Sequence, residues 1–566
     1  MTTDEDEDPT PVAVGVAPGL ELPGQGAALA DILAGLPPPD AAIRAEIERL
    51  NRLALADASA GDYAAAIPLL RRSLSLNPDS LVAHYNLGVI LALAKRSAEA
   101  EVHYRKAIAL SPKWVPAWMN LAALLSQRAE FDAAIACYDK VAALEPGNIA
   151  ALNNAALLLR RTGQFEAARA RLTEALALAP ADPRMRFNQA ILEDNAASRR
   201  EAIETCRQCL KQAPDNAGLL SNLAVCHQMV GEFDEAFALF ERAIAADPEF
   251  HEAWFNRSLL RLSLGDFAAG WVEYEHRWHL PQVQEPGFAK PLWSGEPLDG
   301  KTILLYAEQG FGDAIQFLRY VPQVAASGSR IVLRLHRLLV RLAATLPGDM
   351  TIVTPDNPVP DFDVWCPLLS LPRILETRLD TIPGEVPYLV PRPALIERWR
   401  RRLAGVPGRR VGLAWGGDPR HVNDFRRSIG LQRLKPLLAI PGITWISLQK
   451  GPHAGDLVGP APSTILDIAD ELRDFTETAG AIANLDLVIA TDTAVAHLAG
   501  AIAKPVWTLV PFSPDWRWML GREDSPWYPT MLLFRQPAPG DWDSVVARAA
   551  DCLAHLAATA AVPAPP

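Results

Sequence analysis

The residues of this chain that could do chemistry lie in its second half, where polar side chains follow short runs typical of β-strands. Gln309, Gly310, Gly312 and Asp313 come directly after the predicted strand 302–307 and open a predicted helix. Backbone N–H groups at a strand–glycine–helix junction can bind an anion. Asp313 could cap this helix or could act as a general base at the end of the strand. The sequence alone favours neither role.

A second junction of this kind follows the predicted strand 487–490. Thr491, Asp492 and Thr493 precede a predicted helix, and His497 lies four residues after Thr493 on the same helix face. The N–H groups of a helix start, together with two hydroxyls, suit a phosphate or diphosphate. The alternative is that Asp492 caps the helix and His497 is a core histidine. The combined pattern favours phosphate binding.

Two cations and several aromatic rings could complete such a site. Arg427 follows a glycine turn after one predicted strand, and Lys450 follows the next strand. Both side chains can bind phosphate oxygens, although a solvated loop and an exposed turn lysine are the alternatives. Aromatic residues within 515–518 and 525–529 could stack on a base or a sugar. They could equally pack a loop over a cleft.

The first half of the chain is repetitive. Six prolines recur at a constant interval of 34 residues, at Pro78, Pro112, Pro146, Pro180, Pro214 and Pro248. This is the period of the tetratricopeptide repeat, a pair of antiparallel helices. About seven repeats are predicted over 41–284, and they would stack into an α-solenoid, the tetratricopeptide superhelix. The last repeat is expected to dock on the domain that comes after it.

One polar column shares this period. It consists of Asn86, Asn120, Asn154, Asn188, Asn222 and Asn256. A carboxamide both donates and accepts hydrogen bonds, so a row of them would suit the backbone of an extended polypeptide. The alternative is that asparagine at this position is structural. The spacing favours a peptide-binding ladder along the inner groove of the repeats.

Four regions are therefore predicted along the chain. Residues 1–40 form an acidic, Pro/Gly-rich disordered arm, and the repeats occupy 41–284. Beyond them, strand and helix patterns alternate as in an α/β domain with parallel sheets. Seven strands are predicted there, at 302–307, 330–335, 350–353, 410–415, 444–447, 487–490 and 506–510. Two lobes are expected, 285–395 and 396–566, the latter with a closing helix.

Composition excludes several classes of function. The 566 residues are 49% hydrophobic and carry a net charge of −12, from 54 basic and 66 acidic residues. That balance argues against a nucleic-acid partner. No apolar stretch is long enough for an integral membrane segment, and the acidic beginning is unlike a signal peptide. We therefore expect a cytoplasmic protein.

These residues together resemble the bacterial tetratricopeptide-repeat glycosyltransferases. The C-terminal part is similar to the ADP-heptose:lipopolysaccharide heptosyltransferase family, which has the GT-B fold of two Rossmann-like lobes. This resemblance implies that 285–395 is the acceptor side and 396–566 is the donor side. Four segments carry the resemblance: AEQGFGDAIQFLRY at 307–320, NDFRRS at 423–428, SLQKG at 447–451 and ATDTAVAHLAGAIAKPVW at 490–507. Here Ala494 stands where the family has a glycine.

The resemblance implies roles for the residues of both junctions. Asp313 would be the catalytic base in an acceptor-lobe loop formed with Gln309, Gly310 and Gly312. Donor phosphates and sugar would be bound by Arg427, Lys450, Thr491, Asp492, Thr493 and His497. No cofactor and no metal are expected, since the nucleotide sugar is a substrate and fixed cations can replace a divalent ion.

The whole plan is similar to protein O-glycosyltransferases, including flagellin-modifying enzymes. It implies an enzyme that transfers sugar to Ser/Thr hydroxyls of a protein acceptor held in the repeat groove. A flagellin-like acceptor is one possibility. Two alternatives stay open: a lipopolysaccharide or capsule glycan transferase, and a non-catalytic repeat scaffold with a degenerate transferase lobe.

Overall fold

The computed structural model describes residues 41–193, 195–280, 283, 286–419, 421, 423–457 and 465–558. The predicted disordered arm, 1–40, lies outside these residues. The chain divides into two compact units, one ending at Glu193 and the other comprising the described residues from Asn195 onward. This division falls inside the repeat array, whereas the sequence pattern predicts a boundary at 284.

The first unit consists of paired helices, as the 34-residue period predicts. Its described helices, α1 to α9 in chain order, are Ala41–Ser59, Tyr63–Leu76, Leu81–Leu93, Ser97–Leu110, Val115–Gln127, Phe131–Leu144, Ile149–Arg161, Phe165–Leu178 and Pro183–Glu193. The periodic prolines lie in the turns between repeats. The two helices of a repeat approach closely at Gly88, where a Cβ would lie 2.8 Å from the ring of Tyr104.

The second unit begins with more of the same helices. These are α10 to α14: Ala196–Leu210, Ala217–Met229, Phe233–Ala246, His251–Leu264 and Phe267–Tyr274. A 3₁₀ turn, Glu275–His279, follows. Trp271 and Tyr274 share one continuous hydrophobic core with the strands that come after them. The final helices therefore pack directly on the α/β part, as predicted for the last repeat.

The rest of the second unit alternates strands and helices. Its described strands, β1 to β10, are Thr302–Tyr306, Arg330–Arg334, Met350–Val353, Val364–Pro367, Arg409–Ala414, Ile443–Ser447, Ile465–Asp467, Leu487–Thr491, Val506–Val510 and Met531–Arg535. The helices, α15 to α24, are Phe311–Phe317, Val321–Ala326, Val340–Ala343, Leu371–Ile374, Pro393–Arg402, Asp424–Arg427, Lys435–Leu438, Phe475–Ile482, Ala494–Ala501 and Trp542–Ala558. The parallel α/β organisation predicted from the sequence is confirmed.

Two parallel sheets result. The first has the order β3-β2-β1-β4 and the second has the order β10-β9-β8-β5-β6-β7. In each sheet the chain starts at a central strand, builds outward on one side and then crosses to the other. The crossing creates a switch point beside β1 in the first sheet and between β5 and β8 in the second. Ligands of open α/β sheets bind outside the carboxyl ends of the strands at such points.

Candidate functional site

The first switch point is formed by the loop after β1 and the start of α15. Gly310 is the N-cap residue of α15, and its backbone is extended, with φ −61° and ψ 176°. Asp313 lies in the first helical turn, and it is 9% exposed. The loop residue Gln309 is 5% exposed and donates from Nε2 to the Tyr274 hydroxyl, at 3.2 Å. Gln309 thus ties the loop to α14.

The carboxylate of Asp313 pairs with an arginine that comes from the other sheet. Arg517 donates from Nη2 to Asp313 Oδ1 and from Nη1 to Asp515 Oδ1, at 2.8 Å. The Arg517 side chain is 8% exposed. Its charge pairs raise the pKa of the guanidinium further, against the effect of burial. Asp313 therefore has an ion-pairing role in this structure, and the N-cap position of α15 is taken by Gly310.

The second contact between the two sheets joins α15 to α23. A Cβ on Gly312 would lie 3.0 Å from Cδ2 of His497, so the absence of a side chain allows the two helices to approach. His497 is 4% exposed, and its Nδ1 shares a hydrogen bond of 2.9 Å with the Tyr528 hydroxyl. Burial and the nearby cations hold its pKa well below the usual value. His497 is therefore a neutral imidazole at pH 7.

Asp492 follows β8 and lies in the same charged group. Burial is the main cause that raises its pKa, and the neighbouring carboxylate of Asp515 adds to the rise. The positive charges of Arg427 and Arg517 oppose this shift. Two guanidiniums and two carboxylates of the second sheet, together with Asp313 of the first, thus act on one another near the start of α23.

The two threonines predicted to bind phosphate lie at the same helix start. Thr493 is the N-cap residue of α23, and its hydroxyl donates to the Thr491 carbonyl oxygen at 3.3 Å. The hydroxyl of Thr491 is buried and has no hydrogen-bond partner within the described part of the chain. A buried hydroxyl without a partner is costly unless a ligand or water completes it.

The loop after β5 forms the other wall of this switch point. The Oε1 atom of Gln449 accepts from the backbone N–H groups of Trp415 and Gly416, at 2.8 and 2.9 Å, and its Nε2 donates to the Gly416 carbonyl oxygen at 2.8 Å. A Cβ on Gly417 would lie 2.7 Å from Nη2 of Arg427. The glycines therefore let Arg427 lie against the backbone at the end of β5.

Lys450 has a different environment from the one predicted. Its Nζ donates to the carbonyl oxygens of Ala469 and Leu472, at 2.8 and 2.9 Å. The ammonium is thus engaged by the backbone after β7. A contact of Lys450 with phosphate stays a prediction that this geometry does not favour.

The aromatic residues of the two predicted segments are mostly buried. Trp518, Trp527 and Tyr528 are each 0% exposed, and Trp516 is 4% exposed. The ring centroid of Trp516 lies 5.2 Å from that of Trp271 in α14 and 6.0 Å from that of Trp527. The rings of Trp518 and Tyr528 lie against His497. These rings pack the core beside the cleft and do not offer free faces for a base or sugar.

The asparagine column has a role within the repeats. Asn188 donates to Asn153 Oδ1 at 2.8 Å, and Asn120 donates to the Tyr85 hydroxyl at 3.0 Å, each across 35 residues. Asn86, Asn154, Asn188 and Asn256 are buried, while Asn120 and Asn222 are partly exposed. Several of these carboxamides are thus engaged by neighbouring side chains. Their binding of an acceptor peptide stays a prediction.

Two sets of polar residues were not predicted from the sequence. Arg517 was considered only as part of an aromatic segment, because it is 204 residues from Asp313. The second set follows the 34-residue period and could have been found from it. Six residues after each of four repeat prolines, a side chain forms a hydrogen bond with the proline carbonyl oxygen. These are His84, Trp118, Arg186 and Trp254.

Neither a metal cluster nor a membrane-spanning helix is found among the residues that the structure describes. Within those residues, no group of three or more His, Cys, Asp or Glu side chains is arranged to hold a metal ion. No helix in the same part of the chain has both the length and the apolar character needed to cross a membrane. Metal independence stays a prediction.

A curated relative is the Protein FlbA of Caulobacter vibrioides (strain ATCC 19089 / CIP 103742 / CB 15). It is 29% identical over 359 residues, which make up 58% of this chain and 60% of the relative. This chain therefore matches about three fifths of the length of that protein.

Solved structures with similar helices include a tetratricopeptide repeat protein from Parabacteroides merdae ATCC 43184. It is 19% identical, with a TM-score of 0.37, over 43% of this chain and 94% of that one. The PilF protein of Pseudomonas aeruginosa is 18% identical, with a TM-score of 0.32, over 38% of this chain and 99% of that one.

Family profiles described as tetratricopeptide repeat match the N-terminal half of the chain. The matched residues are 51–113, 119–183, 153–217 and 198–256. They coincide with the paired helices and with the 34-residue period of the prolines. The N-terminal region of this protein is a tetratricopeptide-repeat array.

Proposed function

We propose that the α/β part is a GT-B-type glycosyltransferase that transfers sugar from a nucleotide-activated donor to a Ser or Thr hydroxyl of a protein. One observation carries the proposal. The junction after β1 meets the helix that follows β8 through Gly312 and His497, and it meets the segment after β9 through Asp313 and Arg517. Two switch points facing each other suit a two-part substrate.

The charged groups support a division of labour in this reaction. The bond between the sugar C1 and the donor phosphate oxygen breaks, and the nucleotide diphosphate leaves with the electron pair. A bond forms between C1 and the acceptor oxygen, while Asp313 accepts the hydroxyl proton. Arg427, Arg517 and the start of α23 neutralise the leaving phosphate, so a divalent ion is not required.

The repeats support a protein as the acceptor. Helical repeat arrays present extended surfaces that bind other proteins, and a lipid-linked sugar acceptor would not need such an array. A flagellin-like protein is one acceptor to test. In this proposal the repeats bind the acceptor protein and thereby determine specificity, and the α/β part transfers the sugar.

The experiment is a thermal-shift series with UDP, ADP, GDP, CMP and their sugar conjugates. A ligand that binds only the folded protein must raise the melting temperature. We expect one nucleotide to do so and the effect to be lost in Asp492→Ala. The control is Arg522→Gln, which changes an exposed pair with Asp524. If no nucleotide stabilises the protein, the scaffold alternative is favoured.

A second measurement separates the acceptors. Cell extract is incubated with the protein and the identified donor, and then intact-mass analysis of proteins and mass analysis of lipids are compared. A mass increase of one sugar on a protein supports the proposal. Sugar found on lipid and not on protein favours the glycan transferase.

A further inference from the structure

Arg517 is held between two carboxylates that come from different sheets. Asp515, two residues away, accepts from both its backbone N–H and its Nη1, at 2.9 and 2.8 Å. Asp313, from the first sheet, accepts from Nη2. The bond to Asp515 is local and fixes the arginine on its own segment. The bond to Asp313 is the one that a relative movement of the two sheets would break.

The guanidinium also has an unused donor. The Arg517 side chain is 8% exposed, and its Nε has no hydrogen-bond partner among the residues that the structure describes. The hydroxyl of Thr491 is buried and lacks a described partner as well. Arg427, Asp492 and Arg517 are close enough to influence one another electrostatically. A group with several acceptor oxygens would satisfy donors that the protein alone leaves incomplete.

We propose that Arg517 binds the diphosphate of the donor and that Asp313 occupies Arg517 in its place until the donor arrives. This inference rests on the proposed function and specifies that the donor binds before Asp313 can act as the base. The donor displaces Asp313 from the guanidinium, and the freed carboxylate can then accept the proton of the acceptor hydroxyl. The base is therefore available only after the donor has bound.

The proposal predicts that one substitution in the site increases the affinity for the nucleotide diphosphate. When an internal partner occupies the binding group, only the fraction of molecules in which that group is free can bind the ligand. The apparent affinity is the intrinsic affinity multiplied by this fraction. Asp313→Asn removes the competing charge. We therefore expect the nucleotide diphosphate to bind this variant roughly three- to tenfold more tightly than the wild type. The gain should depend on Arg517: for a carboxylate that acts only through its charge, the substitution would raise the affinity equally in wild type and in Arg517→Lys.

The experiment is calorimetric titration of the full chain with the nucleotide diphosphate found by the thermal-shift series. Three variants are compared with wild type: Asp313→Asn, Arg517→Lys and the exposed control Asp524→Asn. We expect tighter binding, roughly tenfold weaker binding and no change, respectively. If Asp313→Asn fails to fold, Asp313→Ser replaces it, since it also removes the competing charge and has the same expected sign.

The outcomes separate the two levels of the proposal. If the nucleotide binds wild type but Asp313→Asn binds it equally or less tightly, the competition between Asp313 and phosphate is overturned while the transferase function stands. Unchanged affinity in Arg517→Lys overturns the assignment of Arg517. If no nucleotide binds wild type, the proposed function fails and this inference fails with it.

Discussion

The repeats and the α/β part use buried polar side chains in opposite ways. In the repeats, buried amides bond to groups one repeat away, as Asn188 does with Asn153 across 35 residues. In the α/β part, the critical pair joins Asp313 to Arg517 across 204 residues and two sheets. The first pattern connects neighbouring repeats, and the second brings buried charges of two sheets together.

This difference implies that the polar groups of the two regions serve different purposes. A neutral amide pair between neighbouring helices contributes stability and little else, because neither group is charged. A buried cluster of carboxylates and guanidiniums, like the one around Asp492, costs stability, and in the proposed function its charges serve the transfer. Substitutions in the cleft should therefore affect turnover most, and those in the repeats should affect folding most.

The largest expected effect belongs to Asp313. In Asp313→Asn the acceptor hydroxyl loses its proton acceptor, so the turnover of the proposed transfer should fall by roughly 10²- to 10⁴-fold. The melting temperature should fall less than in a variant that leaves a buried charge alone, because Arg517 keeps its pair with Asp515. The measurement is nucleotide release in the presence of donor and acceptor, with Asp524→Asn as the exposed control. Turnover within a factor of three of wild type would show that Asp313 is not the base.

A large loss of stability is expected at Arg277, where the repeats meet the first sheet. Its side chain is 1% exposed and donates to Glu308, which is 7% exposed, at 3.0 and 3.1 Å. Removal of one partner of a buried pair costs about 3–5 kcal/mol, so Arg277→Ala should lower the free energy of unfolding by that amount.

Denaturant titration measures this change, and the matched control is Arg337→Ala. That residue forms an exposed pair with Asp356, and exposed pairs contribute about 0–1 kcal/mol. Equal effects of the two substitutions would contradict the importance of the buried network around Arg277.

A smaller loss of stability is expected in the repeats. Asn188→Ala leaves the buried Oδ1 of Asn153 without its donor, at a cost of about 1–3 kcal/mol. Asn120→Ala, at a partly exposed site, should cost less. Thermal unfolding measures both, and nucleotide affinity should stay unchanged in each. A loss of acceptor binding with full stability would instead support the peptide ladder.

The smallest effect concerns pH. Burial lowers the pKa of His103 to about 4, and its Nδ1 lies 2.9 Å from Nδ1 of His84. Because the unfolded chain takes up this proton near the ordinary value of 6.5, stability should fall as pH drops through the window from 6.5 to 4. His103→Gln should flatten this slope in thermal unfolding measured across that window. An unchanged slope would assign the acid sensitivity to other groups.

Local patterns in the sequence were sufficient for most of the fold. The prolines and the small residue Gly88 predict the repeat geometry, because each repeat contacts only its neighbours. The seven predicted strands all exist in the structure. Strands β4, β7 and β10 were not predicted. Of these, β4 contains Cys366 and ends at Pro367, β7 has only three residues, and β10 has five.

The candidate site was predictable only in part. Asp313, Asp492 and His497 follow strands in a way that the sequence reveals, and the structure brings them to facing edges. The partner Arg517 could not be found from spacing, because only the packing of two sheets places it beside Asp313. The period likewise predicted the asparagine column, but it could not show that Asn188 faces Asn153 rather than a ligand.

The shared core of α14 and the first sheet has a practical consequence for making shorter versions of this protein. A cut at 284, between the predicted regions, would remove Trp271 and Tyr274 from the core and leave Glu308 without Arg277. The exposed apolar surface and the unpaired buried charge would favour aggregation. A fragment meant to retain the α/β part should therefore begin before α13, at or ahead of His251, and carry its last repeat with it.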